Sequence, residues 1–329
     1  MSYETSYRLA VRDALAEELE RDSTVVLLGE DVRIGGVFNA TPELFDRFGP
    51  ERILDTPISE MGFTAAAFGA AVRGLRPVVE IMFGDFLGLV LDTLANQAAK
   101  YWYVSNEQAS VPLTVRTTVG AGARFGAYHS QTPVGWLLGI AGLKIVAPAT
   151  PADAKALTKA AIRDDNPVVV LEHKLLYGRK GEVADADAPV ERIGAAAVRR
   201  GGGDVTVAAA LASLEHSLTA AELLAGEGIE AEVIDLRSLR PLDRATLAES
   251  AAKTGRLVVV EEGPPTGGYA AEVVAAVVEA AGPTPVRRVT MPDLPIPFAA
   301  SLEDAVLPGP DRIAAAVRSL VGEPATVPR

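Results

Sequence analysis

The chain has 329 residues, of which 49% are hydrophobic and 22% charged, enough apolar material for a globular protein with a substantial core. A net charge of −12 argues against nucleic acid as a partner, and the lack of cysteine excludes disulfides, thiol catalysis and zinc–thiolate sites. This length favours two domains.

No charge-free apolar run is long enough for a membrane span, since the most apolar stretch, residues 81–94, is interrupted by Asp85 and Asp92. The opening residues lack the basic and apolar regions of a signal peptide. We therefore expect a cytoplasmic protein that makes no membrane contact.

The first part of the chain alternates between strands and helices. This alternation predicts an α/β fold with a parallel sheet covered by helices on both faces. Thr150 and Asp153 have capping-box spacing at the start of one of the helices. The predicted strands are residues 25–29, 77–81, 111–116, 144–148 and 168–171, and the main predicted helices are residues 7–21, 63–72, 85–104 and 150–162.

A polar segment rich in Gly, Asp and Pro, residues 181–190, is predicted to link a first domain, residues 1–180, to a second α/β domain, residues 191–329. The second domain repeats the alternation without obvious sequence identity to the first. Its predicted strands are residues 205–211, 232–236, 257–260 and 286–289, and its predicted helices are residues 214–225, 244–253, 268–281 and 311–320.

The segment Leu54-Asp55-Thr56-Pro57-Ile58-Ser59-Glu60-Met61-Gly62 places one carboxylate, that of Glu60, at the start of an Ala/Gly/Phe-rich helix. An acid in a first helical turn is common, because it suits the helix dipole. If Glu60 is buried, it could instead exchange a proton with a ligand. Thiamine diphosphate enzymes need such a glutamate, which protonates a nitrogen of the cofactor's pyrimidine ring.

Two acids and a histidine also occupy informative places. Glu30 and Asp31 directly follow the strand at 25–29, where open parallel sheets bind ligands, although a solvated turn would look the same. His129 follows a glycine-rich loop, residues 120–126, and could act as an acid or base near neutral pH. A loop histidine that only caps a helix is an equal alternative.

Phe83 and Phe86 flank Asp85 at the start of a predicted helix. One of the rings could stack on a cofactor ring, although core packing is the default for phenylalanine. His173 is expected to be structural and His216 to lie at the surface.

Several familiar motifs are missing: the phosphate loop, the dinucleotide glycine fingerprint and the serine nucleophile elbow. Gly-Asp-Gly followed by asparagine, the motif with which thiamine diphosphate enzymes hold magnesium and diphosphate, is also missing. The chain thus has a candidate acid for the pyrimidine but no diphosphate motif. This combination predicts that the chain carries only one half of a cofactor site.

The sequence closely resembles the β subunit of the thiamine diphosphate-dependent, decarboxylating first component of 2-oxo acid dehydrogenase complexes. This family includes pyruvate, branched-chain 2-oxo acid and acetoin dehydrogenases. The resemblance extends to about residue 320. Its motifs are Leu28-Gly29-Glu30-Asp31, Asp55-Thr56-Pro57-Ile58-Ser59-Glu60, Gly74-Leu75-Arg76-Pro77, His129-Ser130-Gln131, Ala161-Ile162-Arg163-Asp164-Asp165-Asn166-Pro167 and Arg237-Ser238-Leu239-Arg240-Pro241.

The resemblance implies a transketolase-like pyrimidine-binding domain followed by a transketolase C-terminal-like domain that serves assembly and acyltransferase docking. It implies that Glu60 bonds the pyrimidine nitrogen, that His129 faces the substrate and the lipoyl group, and that Glu30 passes protons between paired sites. It places Met82 and Phe86 beside the pyrimidine. It also implies a structural potassium ion, bound at Leu113, Ala161, Ile162, Asp164 and Asn166.

The implied partners are an α subunit, which holds magnesium and diphosphate in an α2β2 heterotetramer, and a lipoyl acyltransferase core with its peripheral binding domain. Glu303 and Asp304, expected in a loop before the last helix, are candidate docking contacts. A half-enzyme of the transketolase or deoxyxylulose-phosphate synthase type is one alternative, and a non-catalytic scaffold paralogue is another. Tyr128 stands where Gln or Glu is common in the family, and the loop around Arg124 resembles that of acetoin-type members. These departures leave the identity of the substrate undecided.

Overall fold

The computed structural model describes residues 2–186 and 188–322. Its strands are β1 (Ser2–Ser6), β2 (Val25–Gly29), β3 (Ile53–Asp55), β4 (Arg76–Ile81), β5 (Thr114–Val119), β6 (Lys144–Val146), β7 (Val168–His173), β8 (Lys180–Ala184), β9 (Ala197–Arg200), β10 (Val205–Ala209), β11 (Ala231–Asp235), β12 (Ser238–Arg240), β13 (Leu257–Glu261) and β14 (Val286–Thr290).

The helices alternate with these strands, as the sequence predicts. They are α1 (Tyr7–Arg21), α2 (Leu44–Phe48), α3 (Glu60–Val72), α4 (Leu87–Asp92), α5 (Ala99–Val104), α6 (Val134–Leu138), α7 (Pro151–Arg163), α8 (Ser213–Ala225), α9 (Arg244–Thr254), α10 (Tyr269–Ala281), α11 (Ala300–Val306) and α12 (Pro310–Val321). A π-helical stretch, Thr93–Ala98, joins α4 to α5, so the long helix predicted at 85–104 is one helical run. None of the helices in the described part of the chain is both long and apolar enough to cross a membrane.

The described chain divides into two compact units: residues 2–119 with 139–193 apart from residue 187, and residues 120–138 with 194–322. This division departs from the continuous domains expected from the sequence, because the segment at 120–138 belongs to the second unit. Its hydrogen bonds explain the assignment, since the N–H of Ala121 and the hydroxyl of Thr132 both donate to Glu262. The last seven residues of the predicted second domain, 323–329, lie outside the described residues.

The first unit is built on a parallel sheet in the order β6-β7-β5-β4-β2-β3. The central strands are buried along their whole length, which is typical of a sheet covered on both faces. Thr150 caps α7 as predicted, because its hydroxyl accepts a hydrogen bond from the N–H of Asp153 at 3.1 Å. The helix buries Leu157 and Ala161 against Val146 and the strand at Val168–His173.

Two local predictions in this unit differ from the structure. The strand expected at 111–116 is observed at Thr114–Val119, since Pro112 has no N–H to donate to the ladder. The predicted linker at 181–190 begins inside β8, which pairs antiparallel with β1, another strand that the sequence did not predict. The partner of each of these edge strands is far away in the sequence, so local patterning gives no signal for them.

A buried ion cluster crosses three strands of this sheet. Arg116 on β5 donates two hydrogen bonds to Glu172 on β7, at 2.7 and 2.9 Å, and a third to Glu80 on β4 at 2.8 Å. Arg116 is 1% exposed and Glu172 fully buried. The hydroxyl of Tyr177 also donates to Glu172. Burial raises the pKa of Glu80, while the Arg116 charge opposes this shift.

The second unit contains a five-stranded sheet in the order β14-β13-β10-β11-β9. It is parallel except for β9, which runs antiparallel to β11. Asp243 caps α9 by accepting a hydrogen bond from the N–H of Thr246. The helix ends at Gly255, whose φ of +69° is easily adopted only by glycine. The predicted α/β character of both halves is confirmed.

Candidate active site

The first group of candidate residues lies at the carboxyl edge of the first unit's sheet. Strands β4, β2 and β3 are adjacent and parallel, so the residues that follow them meet at this edge. Glu30 follows β2, Glu60 opens α3 after β3, and Met82 follows β4. The N–H of Thr56 donates to the carbonyl of Gly29 at 2.9 Å, which ties the segment before Glu60 to the strand before Glu30.

Glu30 and Glu60 form a buried acidic pair. They are 8% and 6% exposed, respectively. Burial raises the pKa of Glu30, the negative charge of Glu60 raises it further, and a backbone hydrogen bond from Ser59 opposes the shift. The Oε1 atom of Glu30 is buried with no hydrogen-bond partner in the structure. Such an atom is costly unless a ligand or a shared proton satisfies it.

Apolar side chains accompany the acids at this edge. Met82 is 5% exposed, and Phe86 is half-buried with its ring edge-on to Phe83 at a centroid distance of 5.7 Å. Phe83 makes a similar contact with Phe38 at 5.5 Å. A flat ring that carries a basic nitrogen fits this combination of apolar surface and buried carboxylates. The residues of the first unit thus fit the pyrimidine half of thiamine diphosphate.

Four of the five residues expected to bind potassium lie at the end of α7 or just after it. The carbonyl of Leu113 accepts the N–H of Val168, two residues after Asn166. Asp164 accepts hydrogen bonds from the backbone and side chain of Asn166 and from Lys144. Burial acts to raise the pKa of Asp164, but these hydrogen bonds lower it.

The oxygens of this segment suit a hard cation, but cationic side chains already reach them. Arg76 donates to the carbonyls of Ile162 and Asp164 at 3.1 and 3.2 Å. A metal ion would therefore have to use lone pairs that these bonds leave free. These oxygens therefore fit a potassium ion only if it binds beside the hydrogen bonds from Arg76 and Lys144.

His129 belongs to the second unit, on the segment that follows the glycine-rich loop. The residue is half-buried, and its backbone N–H donates to the carbonyl of Gly126 at 3.4 Å. His173 is fully buried at the end of β7, and its Nδ1 atom accepts the N–H of Leu175. His216 is half-buried rather than at the surface, with Nδ1 3.2 Å from the carbonyl oxygen of Pro308.

The expectation that Glu303 and Asp304 lie in a loop is wrong for both residues, and Glu303 is not an exposed docking contact. Both residues lie on α11, and Glu303 is fully buried. Its carboxylate accepts hydrogen bonds from Arg124 and from the N–H of Gly122, at 2.6 and 2.8 Å. Asp304 is more exposed and binds the same guanidinium at 2.7 Å. A local sequence pattern could not show that the partner of Glu303 lies 181 residues earlier.

The second unit also contains a cavity of about 710 Å³ that the sequence did not predict. Its walls come from residues 127–136, 261–268 and 291–296, and they include the rings of Tyr128 and Trp136. Glu261, the last residue of strand β13, and Glu262, the residue after it, both line this cavity. Acids immediately after a buried strand were the signal used for Glu30, and the same signal could have pointed to these two.

The carboxylate of Glu261 is buried, with the residue 2% exposed, and it accepts two backbone hydrogen bonds. The donors are the N–H groups of Tyr269 and Ala270, at 2.8 and 2.7 Å, at the start of α10. Burial raises the pKa of Glu261 to about 7, and the two backbone bonds oppose this shift. Glu261 therefore caps α10.

Comparison with known families matches the chain to two domain families, and the first match includes the segment at 120–138. Residues 4–180 match the family described as "Transketolase, pyrimidine binding domain", and residues 194–313 match "Transketolase, C-terminal domain". A solved structure described as "Split gene transketolase, inactive beta4 tetramer" superimposes with a TM-score of 0.79, at 27% identity over 96% of this chain and 98% of that one. The chain is a two-domain protein of the transketolase type.

Three similar proteins of known name indicate which family within the transketolase type the chain belongs to. The chain is 43% identical to "Acetoin:2,6-dichlorophenolindophenol oxidoreductase subunit beta" of Bacillus subtilis (strain 168), over 96% of this chain and 97% of the relative. It is 46% identical to "Pyruvate dehydrogenase E1 component subunit beta-2, mitochondrial" of Oryza sativa subsp. japonica, over 96% and 86%. It is 43% identical to "2-oxoisovalerate dehydrogenase subunit beta" of B. subtilis, over 96% and 98%. The chain therefore belongs to the family of β subunits of the 2-oxo acid dehydrogenase first component.

Proposed function

We propose that this chain works as the β subunit of a thiamine diphosphate-dependent 2-oxo acid or acetoin dehydrogenase and shares its active site with an α subunit. The observation that carries the proposal is the buried Glu30–Glu60 pair at the carboxyl edge of the sheet, with Glu30 Oε1 lacking a partner. The sequence supplies acids for a pyrimidine and no motif for diphosphate, and both facts support a shared site.

Glu60 would hold a proton at the pyrimidine ring nitrogen. Met82 and Phe86 would contact the ring and keep water away from it. When bound, thiamine diphosphate supplies a nucleophilic carbon and an acceptor for the electrons released when the substrate is cleaved. Glu30 would pass a proton to or from Glu60, because two carboxylates that are close in a buried setting do not ionise independently.

His129 would stabilise charge on the substrate or donate a proton during acyl transfer to the lipoyl group. A half-buried histidine on a glycine-rich segment suits this role. Its replacement by alanine should impair reductive acylation more than cofactor binding. Loss of cofactor affinity with an unchanged acylation rate would refute the assignment.

The partners belong to the same proposal. The α subunit would hold magnesium and the diphosphate in an α2β2 heterotetramer. The second unit would serve assembly and would receive the peripheral binding domain of a lipoyl acyltransferase, which the net charge of −12 favours if that domain is basic. Titration of the heterotetramer with the binding domain at low and high salt tests the docking, and affinity independent of salt would contradict it.

A cytoplasmic location and a structural potassium ion also remain proposals. The rice relative is described as mitochondrial, so cell fractionation is the experiment that would decide the location of this chain. For potassium, the thermal unfolding midpoint should be higher in potassium chloride than in sodium chloride at equal ionic strength. Equal midpoints in the two salts would remove potassium from the proposal.

The decisive experiment is co-expression with an α subunit. The purified complex would be assayed with pyruvate, 2-oxoisovalerate and acetoin, with and without thiamine diphosphate and magnesium. Cofactor-dependent turnover of one of these substrates is the expected result. Turnover only with a ketose phosphate donor would favour the transketolase-type alternative, which the likeness to the split-gene transketolase keeps open. No turnover by a well-assembled complex with any of them would favour a scaffold role.

A further inference from the structure

The glycine-rich loop before His129 is attached to a distant helix of the same unit by a buried carboxylate. Glu303 on α11 is fully buried, and a buried charge must be paired and hydrogen-bonded to be tolerated. Its Oε1 atom accepts the backbone N–H of Gly122 at 2.8 Å, and its Oε2 atom accepts Nη1 of Arg124 at 2.6 Å. Both donors lie on the loop, so one side chain fixes two points of it.

Arg124 holds the loop from the other side. Its φ of +66° lies in the left-handed region, which costs free energy for a residue other than glycine. Its guanidinium also donates to Asp304 at 2.7 Å and to the carbonyl of Ala300 at 3.2 Å. Three bonds to α11 therefore keep the backbone of Arg124 in a conformation that it would not otherwise favour.

The attachment continues to His129. A Cβ atom at Gly126, where φ is +69°, would lie 3.2 Å from the ring of Phe298, so this glycine already packs closely on the segment that leads into α11. The carbonyl of Gly126 accepts the N–H of His129 at 3.4 Å. At the other end of the loop, the N–H of Gly120 donates to the carbonyl of Gln131, which closes it.

We propose that Glu303 and Arg124 are positioning residues that hold the loop of residues 120–131, and with it the backbone of His129, in its working place. Neither residue needs to touch the substrate. This inference rests on the proposed function only through the catalytic role of His129. A misplacement of about 1 Å can cost on the order of 100-fold in rate, so losing the attachment should be visible in turnover.

The test uses Glu303→Gln and Arg124→Met in the assembled αβ complex, assayed with whichever of pyruvate, 2-oxoisovalerate and acetoin the wild type turns over. Glu303→Gln keeps an acceptor for Gly122 but loses the charge that binds Arg124. We expect each variant to lower kcat by roughly 10- to 100-fold. The exposed pair Glu227–Arg318 of the same unit supplies matched controls, and Glu227→Gln and Arg318→Met should stay within about twofold of wild type.

A double-mutant cycle separates positioning from a general structural role. If Glu303 acts through His129, then Glu303→Gln should change kcat by less than about twofold in a His129→Ala background. The full single-variant loss in that background, or wild-type kcat for both Glu303→Gln and Arg124→Met, would overturn the proposal. If Glu303→Gln fails to assemble, the same cycle with the half-exposed Arg124→Met decides. Full activity of His129→Ala alone would instead reject the catalytic role of His129.

Discussion

Glu60 and Glu30 combine two properties that single residues rarely combine: they are nearly inaccessible to water, and each adds negative charge to the other's surroundings. Burial and the negative charge of Glu60 both raise the pKa of Glu30 and so favour its protonated form. A proton can therefore be held in this place at a pH where an exposed carboxyl would have lost it.

Replacing Glu60 by glutamine should leave the fold and the assembly intact and reduce turnover by on the order of 10²–10⁴, because an amide cannot donate and recover the proton. Steady-state assays of the αβ complex would measure this, with the exposed Glu51→Gln in the same unit as the control. Activity within about threefold of wild type would remove Glu60 from the mechanism.

The elements of the first unit's sheet are joined by an ion cluster as well as by backbone ladders. Arg116 on β5 binds carboxylates on β4 and β7, and all three side chains are buried. Both carboxylates bind the same guanidinium, so the loss of Arg116 would leave both of them without this positive charge. The pKa of Arg116 is raised by Glu172 and Glu80, although burial acts to lower it.

Arg116→Met should destabilise the first unit by about 3–5 kcal/mol, because it leaves two buried carboxylates without their counter-charge. Chemical denaturation followed by circular dichroism would report the loss, and Arg73→Met at the exposed end of α3 is the control. Adding Glu80→Gln and Glu172→Gln to Arg116→Met should recover part of the stability. A triple variant less stable than the single one would contradict this account of the cluster.

The burial of Glu261 makes the stability of the second unit depend on pH. The pKa of Glu261 is about 7 in the folded chain, against an ordinary value of 4.5, so its contribution is fully present below about pH 4.5 and is lost as the pH rises to 7. The difference corresponds to about 3 kcal/mol. Glu261→Gln should therefore flatten the dependence of unfolding free energy on pH between 5 and 8.

Denaturation series at several pH values would measure this effect. Glu272→Gln, an exposed residue of the same helix, should keep the wild-type pH dependence. An unchanged slope in Glu261→Gln would show that another group controls the stability in this range.

On the scale of the whole molecule, the chain has a candidate pyrimidine site and lacks the diphosphate-binding motif. The isolated chain should not turn over, and it should bind thiamine diphosphate with a dissociation constant weaker than about 1 µM, because the binding energy of the phosphates is missing. Calorimetry on the pure chain and on the αβ complex would test this. Tight binding by the isolated chain would end the shared-site proposal.

Much of this architecture could be predicted from the sequence. The alternation of strands and helices and the caps at Thr150 and Asp243 depend on residues within a few positions of each other, so a local pattern records them. The sequence also singles out Glu30 and Glu60 as candidates, because acids directly after buried strands, or at the start of an apolar helix, stand out against their neighbours.

Only the tertiary structure decided which unit receives the loop before His129, that β1 pairs with β8, and that Glu303 is a buried anchor rather than a surface contact. Each of these depends on groups that meet across long stretches of chain, 181 residues in the case of Glu303 and Gly122. A carboxylate on an amphipathic helix looks the same in the sequence whether it faces water or a loop. Burial and hydrogen bonding, which decide what that carboxylate does, arise only when the distant segments pack together.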